Sequence, residues 1–119
     1  MREFSTGATR DTDDGKVDYQ CILSIPVLRA FGEYMKKHRV QADGKMRPYD
    51  NWKKGIPRKV YRQSKWRHLL DWDEAIDAGD FDKYVEAACA ELFNIQGHLH
   101  ESLKARDCTD EVDEEIVRD

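Results

Sequence analysis

The sequence has few of the residues that cross-link a small fold or carry it across a membrane. Its three cysteines, Cys21, Cys89 and Cys108, are odd in number and lack metal-ligand spacing, which argues against a disulfide framework and a zinc site. No apolar run approaches the roughly 18 residues of a membrane-spanning helix. The N-terminus, with Arg2 and Glu3, has no apolar signal-peptide centre. We therefore expect a soluble, cytoplasmic protein without a membrane partner.

Charge is segregated along the chain, although the net charge is only -4. The region from Lys36 to Arg67 holds twelve Lys or Arg residues against Asp43 and Asp50. The last thirteen residues, Asp107 to Asp119, hold seven acids against one arginine. The basic region favours a polyanionic partner, with a solvated surface loop as the alternative. The acidic end, poor in apolar residues, is predicted to be a disordered tail.

Length and composition predict one domain, residues 1–106, followed by the tail, residues 107–119. A chain of 119 residues with 39% hydrophobic content can build a modest core without metal or disulfide support. Ser24 as a cap and Pro26 in the first turn predict a first helix of about Ile25 to His38. The glycines and prolines of the next segment predict a long loop over 41–57.

Two further helices follow the loop. The second is predicted to start near Pro57 and run to about Asp77, where Ala78-Gly79-Asp80 breaks it. Asp80 is a good N-cap for the third, in which Gly97 marks a close helix contact. The third helix carries an apolar stripe of Phe81, Tyr84, Val85, Ala88, Leu92, Ile95, Leu99 and Leu103.

The predicted fold class is all-α, a small bundle of three to four helices with an extended polar N-terminal arm and a long basic loop. Three helices of unequal length cannot bury all their apolar stripes. We therefore expect either a homo-oligomer or a fourth short helix.

The N-terminal arm, Phe4 to Tyr19, is almost free of apolar residues and contains Gly7, Arg10, Gly15 and Lys16. Glycines give backbone freedom and cations give charge, which are the requirements of a phosphate site. The spacing matches neither of the common phosphate-binding fingerprints. A solvated arm ahead of the first helix is the alternative.

Carboxylates and polar groups recur on two of the helices. Asp71-x-x-Glu74 on the second helix is followed by Glu91-x-x-Asn94 on the third, and Arg67 and His68 share the first face. Two antiparallel helices joined at Gly79 would bring these faces together. Oxygen ligands of this kind hold Mg²⁺ with waters and substrate phosphates. The alternative is ordinary surface charge on two amphipathic helices.

Further candidates are the histidines and one aromatic pair. His98 and His100 are two residues apart and face different sides of a helix, which argues against a shared metal. His68 can hydrogen-bond within the bundle or touch a substrate. Asn51-Trp52 can stack on and read a nucleobase. Alternatively, Trp52 pins the long loop to the core.

Several blocks occur together in a recognisable order: Gly7-Ala8-Thr9-Arg10-Asp11, Gly15-Lys16-x-Asp18-Tyr19, Asn51-Trp52-x-x-Gly55, Arg67-His68 and the helix from Glu86 to Asn94. Over about Phe4 to Leu103 the chain resembles the bacteriophage family of dATP/dGTP diphosphohydrolase N-terminal domains. The carboxylate spacing is also distantly similar to that of the all-α nucleoside triphosphate pyrophosphohydrolases, with Asp for the first Glu and Asn for the last Asp.

The resemblance implies Mg²⁺-dependent hydrolysis of purine deoxynucleoside triphosphates to monophosphate and pyrophosphate in phage nucleotide metabolism, in the host cytoplasm. The implied catalytic residues are Glu74, Glu91 and His68. The implied metal ligands are Asp71, Glu74, Glu86, Glu91 and Asn94. Arg10, Lys16 and Arg67 would bind phosphate, and Asn51 and Trp52 would bind the base. Where some relatives have a histidine, this chain has Glu86.

Two other classes of function remain open from the sequence. The basic region from Lys36 to Arg67 would suit a non-enzymatic nucleic-acid-binding module of a phage, whose affinity would fall steeply with salt. A structural or host-interaction protein would keep the bundle without the chemistry, and would bind neither Mg²⁺ nor nucleotide.

Overall fold

The structure is a computed structural model, and it describes residues 1–107. Two short strands, β1 (Arg2–Glu3) and β2 (Thr9–Arg10), come first. Four α-helices follow: α1 (Tyr19–Ile22), α2 (Ile25–Lys37), α3 (Arg58–Ala78) and α4 (Phe81–Asp107). A 3-10 helix, Asn51–Lys54, lies between α2 and α3. The predicted all-α fold is confirmed, and the predicted disordered tail lies outside the described residues apart from Asp107, the last residue of α4.

The N-terminal arm forms a small hairpin that stands apart from the helices. β1 and β2 pair antiparallel, with Arg2 opposite Arg10 and Glu3 opposite Thr9. Arg2 also donates from Nε to the Asp11 carbonyl at 3.1 Å. All residues before Ala30 are exposed.

The first predicted helix is confirmed as α2, and its start has the expected cap. Ser24 Oγ accepts a hydrogen bond from the Val27 backbone N–H at 3.4 Å, and Pro26 occupies the first turn. A fourth short helix, one of the two expected alternatives, is present as α1, although its position was not predicted; in this single turn Asp18 accepts from the Cys21 backbone N–H at 3.2 Å. One turn of helix is too short to show hydrophobic periodicity.

An antiparallel pair, α3 and α4, makes the most extensive helix contact of the fold. Gly79 ends α3 in the left-handed conformation, with φ of 67°. Its N–H then donates to carbonyls of the last turn of α3. Asp80 Oδ1 accepts from the Lys83 backbone N–H at 3.1 Å and so caps α4. Both helix boundaries agree with the sequence prediction because their signals are local.

The contact between α3 and α4 is built from small residues on one side and a tyrosine on the other. The buried residues of α4 are Ala87, Cys89, Ala90, Asn94 and Gly97. Tyr61 of α3, which is 2% exposed, packs its ring directly against Gly97. Most of the predicted apolar stripe of α4 lies elsewhere, since Phe81, Leu92, Ile95, Leu99 and Leu103 are exposed. Its first part is half-buried, and the Tyr84 ring lies 6.2 Å from the Trp72 ring of α3, centroid to centroid. The helices therefore approach closely through small residues, and most of the large apolar residues of the stripe stay outside.

The segment between α2 and α3 is more ordered than the predicted loop. Val40 and Met46 form an isolated antiparallel bridge around a tight turn at Asp43-Gly44, where Gly44 has φ of 83°. The 3-10 helix then leads to Pro57, which precedes α3. Within residues 1–107, no helix is both long enough and apolar enough to cross a membrane.

Candidate functional site

A cavity of about 220 Å³ lies between α2, the bridge segment, the 3-10 helix and α4. Its walls combine aromatic rings with basic side chains and one amide. The lining residues are Tyr34, Met35, His38, Arg39, Arg47, Pro48, Tyr49, Asn51, Trp52, Ile56 and Phe93. The two residues that the sequence nominated for a nucleobase, Asn51 and Trp52, both lie in this wall.

Two arginines enter the cavity wall because the Val40–Met46 bridge places them side by side. Arg39 Nε donates to the Arg47 carbonyl at 2.9 Å. The Arg39 guanidinium also lies over the Tyr49 ring, 4.3 Å from its centroid, in cation–π geometry. Arg47 Nε is buried and has no hydrogen-bond partner among residues 1–107. An unused donor in a polar cavity wall is what an acceptor ligand would satisfy.

Trp52 is half-buried and is held at one end of the cavity. Its ring meets the His100 ring edge-on at a centroid distance of 4.9 Å, so it joins the 3-10 helix to α4. Lys53 Nζ lies 5.8 Å from the Trp52 centroid. The two interpretations of Trp52 are thus compatible: it anchors the segment, and it also offers surface to the cavity.

Tyr34 contributes a neutral phenol to the same wall. Burial first, and then the nearby Glu86 carboxylate and Cys89 thiol, raise the pKa of Tyr34 to about 12. Its ring lies 4.4 Å from the His38 ring, centroid to centroid. At neutral pH this side of the cavity therefore offers an uncharged aromatic surface beside a histidine.

Glu86 connects α4 to the end of α2. Its Oε1 lies 2.7 Å from His38 Nε2, and its Oε2 accepts from Lys37 Nζ at 3.3 Å. Burial alone would raise the pKa of Glu86, but the hydrogen bonds from His38 and Lys37 outweigh burial and hold it below its ordinary value. The carboxylate is therefore engaged in an interhelical ion pair, next to the cavity wall at His38.

Replacing Glu86 with glutamine should lower the melting temperature at pH 7 by about 2–4 °C. The pKa of Glu86 is lower in the folded state than in the unfolded state. The ionised carboxylate therefore stabilises the fold above about pH 4.3, the ordinary pKa of glutamate. This stabilisation is lost as the pH falls through the folded-state pKa. In thermal melts from pH 7 to pH 3, the melting temperatures of Glu86→Gln and the parent protein should converge. Glu33→Gln, an exposed glutamate of α2, serves as the control. An equal effect of both substitutions contradicts the ion-pair assignment.

Glu91 forms a second polar centre, between α3 and α4. Lys65 Nζ lies 3.7 Å from its Oε2, and only 15% of the side chain is exposed. Its other oxygen, Oε1, is buried without a hydrogen-bond partner in the described part of the chain. Burial raises the pKa of Glu91, against the opposing effect of the charges of Lys65 and His68. A carboxylate with a raised pKa and an unused oxygen is a candidate for proton transfer or cation binding.

The other predicted residues of α3 and α4 have separate partners. His68 Nδ1 lies 3.7 Å from Asp71 Oδ2. Glu74 Oε2 accepts from Lys83 Nζ at 3.0 Å, beside the turn that joins the two helices. The buried Asn94 donates from Nδ2 to the Ala90 carbonyl at 2.9 Å and to Ser64 Oγ at 3.3 Å. Asn94 thus joins the two helices by a hydrogen bond.

The predicted phosphate-binding cations lie apart from both centres. Arg10 is in β2 and Lys16 is in the turn closed by its N–H donating to the Asp13 carbonyl at 3.0 Å. Both are exposed, as is Arg67 on α3. In the described residues, no hydrogen bond or ion pair joins Arg10 or Lys16 to a helix.

The two centres lie on different sides of α4. Glu91 and Phe93, a cavity residue, are two positions apart and so point about 160° away from each other around the helix. Among residues 1–107, no group of three or more His, Cys, Asp or Glu side chains could hold a metal ion together. The structure therefore gathers the aromatic and basic residues at one centre, and Glu91 with Lys65 and His68 at the other.

Among the cavity residues that the sequence did not single out are Arg39, Arg47, Tyr34 and Tyr49. The usable signal was Asp43-Gly44, a dipeptide typical of hairpin turns. A hairpin there pairs the flanking residues, which places Arg39 near Arg47 and turns Tyr49 toward the same side.

Comparison with protein-family models, with curated proteins and with solved structures gives no match. The resemblance to the phage diphosphohydrolase family therefore stays a prediction. The geometry of the two centres is the basis on which a function can be proposed.

Proposed function

We propose that this protein is a metal-dependent nucleotide pyrophosphohydrolase of bacteriophage nucleotide metabolism. Its substrates would be purine deoxynucleoside triphosphates, dATP or dGTP, and its products the monophosphate and pyrophosphate. The observation that supports this best is the cavity, because Asn51 and Trp52 line it together with Arg39, Arg47 and Tyr49. Those residues combine stacking surface, an amide and positive charge.

The cavity suits the base of a nucleotide. Its volume of about 220 Å³ is below the roughly 300–1,000 Å³ of pockets that enclose a whole drug-sized ligand. A planar base would stack on the aromatic walls, and the Asn51 amide can both donate to and accept from its edge. The sugar and phosphates would then extend outward, toward the cations at the cavity mouth.

Basic residues of the cavity would neutralise part of the triphosphate charge. Arg47 has an unused donor, and Arg39 presents a guanidinium held by Tyr49. Arginine forms paired hydrogen bonds with phosphate oxygens. Arg10, Lys16 and Arg67 remain proposed phosphate ligands, and would have to reach the nucleotide from their exposed positions.

Mg²⁺ is the proposed cofactor, and Glu91 is the residue that fits it best. All four carboxylates lie near a histidine or lysine, but only Glu91 among them has a buried oxygen, Oε1, without a partner in the described residues, and its side chain is the least exposed of the four. Mg²⁺ is commonly held by one or two carboxylates with waters and substrate phosphates, so a single well-placed carboxylate is compatible with it. When bound, the metal would polarise the phosphoryl oxygens.

Glu91 would also serve as the proton acceptor for the attacking water, with the neighbouring His68 and Lys65 keeping its charge compensated. Glu74 and His68 are the other proposed catalytic residues, and Asn94 the fifth proposed metal ligand. Because the cavity and Glu91 lie on different sides of α4, the binding and hydrolytic parts of the proposal are tested separately.

Binding is tested by thermal shift with dATP or dGTP, with and without Mg²⁺. A ligand that binds only the native state raises its stability by about 2.7 kcal/mol at a concentration of 100 times Kd. Arg47→Ala should weaken the affinity at least about tenfold, because it removes a charge-assisted hydrogen bond. Lys45→Ala removes the same charge from an exposed position of the same turn and should leave the affinity unchanged.

The second candidate function, nucleic-acid binding, predicts a different pattern. Lys36, Lys37, Lys53, Lys54 and Lys59 are all exposed, as phosphate-tracking residues must be. In that case Arg47→Ala and Lys45→Ala would weaken binding equally, and the affinity would fall steeply with salt for any sequence. An absence of any nucleotide-induced shift, together with salt-dependent binding to DNA or RNA, would overturn the hydrolase proposal.

A further inference from the structure

An open groove runs along the α3–α4 pair. Its volume is about 710 Å³, within the roughly 300–1,000 Å³ of pockets that enclose a whole small ligand. Helix α3 contributes Arg62, Lys65 and Trp66 to its walls, and α4 contributes His98 and Leu99 among others. None of the described residues that line it is acidic. The walls of the groove therefore offer positive charge and hydrogen-bond donors without a carboxylate of their own.

The groove continues into the Glu91 centre, on the other side of α4 from the cavity. Glu91, His98 and Ser102 lie within about 40° of one another around α4, because they are separated by seven and four residues. Lys65 lines the groove, and its Nζ also lies 3.7 Å from Glu91 Oε2. Lys65 thus belongs to both places. A ligand that fills the groove would have one end beside Glu91.

The floor of the groove is polar, whereas its rim is apolar. Lys65 and His98 lie next to the helix contact and are half-buried. Trp66 and Leu99 lie farther out and are 59% and 55% exposed. An apolar partner would cover the polar floor without replacing its hydrogen bonds to water, which is costly. The ligand that suits this groove therefore carries polar groups for the floor and an apolar or planar group for the rim.

The cations of the groove favour a phosphate-bearing ligand. Arg62 and Lys65 are three residues apart, so they lie on one side of α3 about 4.5 Å apart along its axis. An ammonium group has three donors, so Lys65 can contact Glu91 and a ligand oxygen together. Guanidinium and ammonium groups are the usual protein ligands of phosphate oxygens.

The exposed indole of Trp66 adds a surface for a planar group beside these cations. Lys65 Nζ lies over the Trp66 ring, 5.5 Å from its centroid, and Arg62 is one helical turn before Trp66. Nucleobases stack on exposed aromatic rings of this kind. A base joined to a polyphosphate combines the planar group and the negative charge that the groove can bind.

We propose that the groove is a second nucleotide site, which binds a nucleoside polyphosphate with its phosphates on Arg62 and Lys65 and its base on Trp66. The inference rests on the proposed function, because it takes Glu91 as the hydrolytic residue and this nucleotide as the molecule hydrolysed. Helix α4 separates Glu91 from the cavity but not from the groove. A nucleotide in the cavity is then a different molecule from the one that reacts.

Each of the two sites has its own tryptophan, Trp52 in the cavity and Trp66 in the groove, so fluorescence can distinguish them. In Trp52→Phe, dATP added without Mg²⁺ should quench the fluorescence, because the base stacks on Trp66. Trp52→Phe/Trp66→Phe keeps only the half-buried Trp72 and should show no quenching. Circular dichroism should show equal helix content in both proteins. Absence of quenching in Trp52→Phe, or equal quenching in both, would overturn the proposal.

Substitution of Arg62 tests the phosphate contacts in the Trp52→Phe background. Arg62→Gln should raise the dATP concentration for half-maximal quenching about 5–10-fold, because it removes a charge-assisted hydrogen bond at an exposed position. Arg29→Gln removes the same charge from an exposed position of α2 and should leave that concentration unchanged. Equal effects of the two substitutions would contradict phosphate binding at Arg62.

Competition shows which part of the nucleotide anchors it in the groove. Inorganic pyrophosphate should displace dATP from Trp52→Phe and restore the Trp66 fluorescence. Deoxyadenosine, which has the base but no phosphate, should not displace it at the same concentration. Equally effective displacement by the two compounds would rule out the phosphates as the anchoring group and overturn the proposal.

Steady-state kinetics with Mg²⁺ separate this inference from the proposed function. Arg62→Gln should raise the KM for dATP about 5–10-fold and leave kcat nearly unchanged, because Arg62 binds the substrate equally before and during the reaction. Hydrolysis with an unchanged KM in Arg62→Gln would overturn the groove site and leave the hydrolase proposal intact. Quenching that depends on Arg62, without hydrolysis by the parent protein, would support nucleotide binding in the groove and overturn the hydrolase proposal.

Discussion

Replacing Gly97 with alanine is expected to destabilise the protein by about 3 kcal/mol or more, the upper part of the range for overpacking a core. A Cβ at this position would lie inside van der Waals contact with Cζ, Cε1 and Oη of Tyr61. Tyr61 is 2% exposed, and its ring would have to move to make room for the added methyl group. The melting temperature should fall by about 10–20 °C.

The chain contains a matched control for this substitution. Gly32 lies within α2, and a Cβ there would meet no atom within 4 Å. Gly32→Ala should leave the stability unchanged or raise it by about 0.5–1 kcal/mol, because alanine is the better helix former. Denaturant unfolding of both variants measures the difference. Equal stability of Gly97→Ala and the parent protein would contradict the close packing of Tyr61 on α4.

The close contact between Tyr61 and Gly97 can also be relieved by substituting Tyr61. Tyr61→Leu creates space next to Gly97, so Gly97→Ala should cost much less in that background than in the parent protein. The coupling between the two positions should amount to about 1–3 kcal/mol in a double-mutant cycle. Additive effects would show that the loss of stability in Gly97→Ala comes from another source.

The positions of the helices could be predicted from the sequence because their ends are encoded locally. Ser24 and Pro26 start α2, whereas Gly79 ends α3 and Asp80 caps α4. Each signal acts within one turn of the chain, through hydrogen bonds to nearby backbone groups. The predicted domain boundary at 106 stays a prediction, because Asp107 in α4 is also the last residue that the structure describes.

The face of α4 that meets α3 could not be predicted from hydrophobic periodicity. The stripe from Phe81 to Leu103 is the most apolar surface of the helix, yet the structure packs Ala90, Asn94 and Gly97 against α3. Periodicity identifies an apolar face but not its partner. Small residues allow the helices to approach, and the large Tyr61 fills the space. Only Gly97 gave a local signal of this contact.

The candidate site was also predictable only in part, because sequence patterns do not show which residues of different elements come together. Asn51 and Trp52 were recognisable as an adjacent amide and aromatic pair, and the structure places both in the cavity wall. Arg39 and Arg47 join them through a bridge between residues distant in sequence. The carboxylates were expected to form one cluster, but cations outside the predicted motif, such as Lys83 and Lys65, are paired with them individually.

Glu91→Gln is expected to reduce pyrophosphate release from dATP or dGTP at least about 100-fold, if Glu91 accepts the proton of the attacking water or binds Mg²⁺. Glutamine keeps the size of the side chain but is neither a base nor a charged ligand. The loss should appear in kcat rather than in nucleotide affinity, because the base-binding cavity lies on the other side of α4. Pyrophosphate release under saturating substrate measures it.

The same substitution should not weaken the fold. Burial raises the pKa of Glu91 in the folded state above its unfolded value, so the folded protein holds the proton more tightly and its stability falls as pH rises through that interval. At pH 7 the charged carboxylate is therefore a cost to the fold, which glutamine removes. Thermal melts should show Glu91→Gln to be at least as stable as the parent protein.

Glu101→Gln separates a specific role of Glu91 from the general effect of removing a buried charge from α4. Glu101 also has a buried Oε1 without a hydrogen-bond partner in residues 1–107, and its Oε2 lies 3.5 Å from Lys104 Nζ. It is ten residues from Glu91 on the same helix, yet belongs to neither centre. Glu101→Gln should retain full activity. Equal losses of activity in the two variants, or full activity in both, would show that Glu91 has no specific role in hydrolysis. The proposal would then be reduced to nucleotide binding in the cavity.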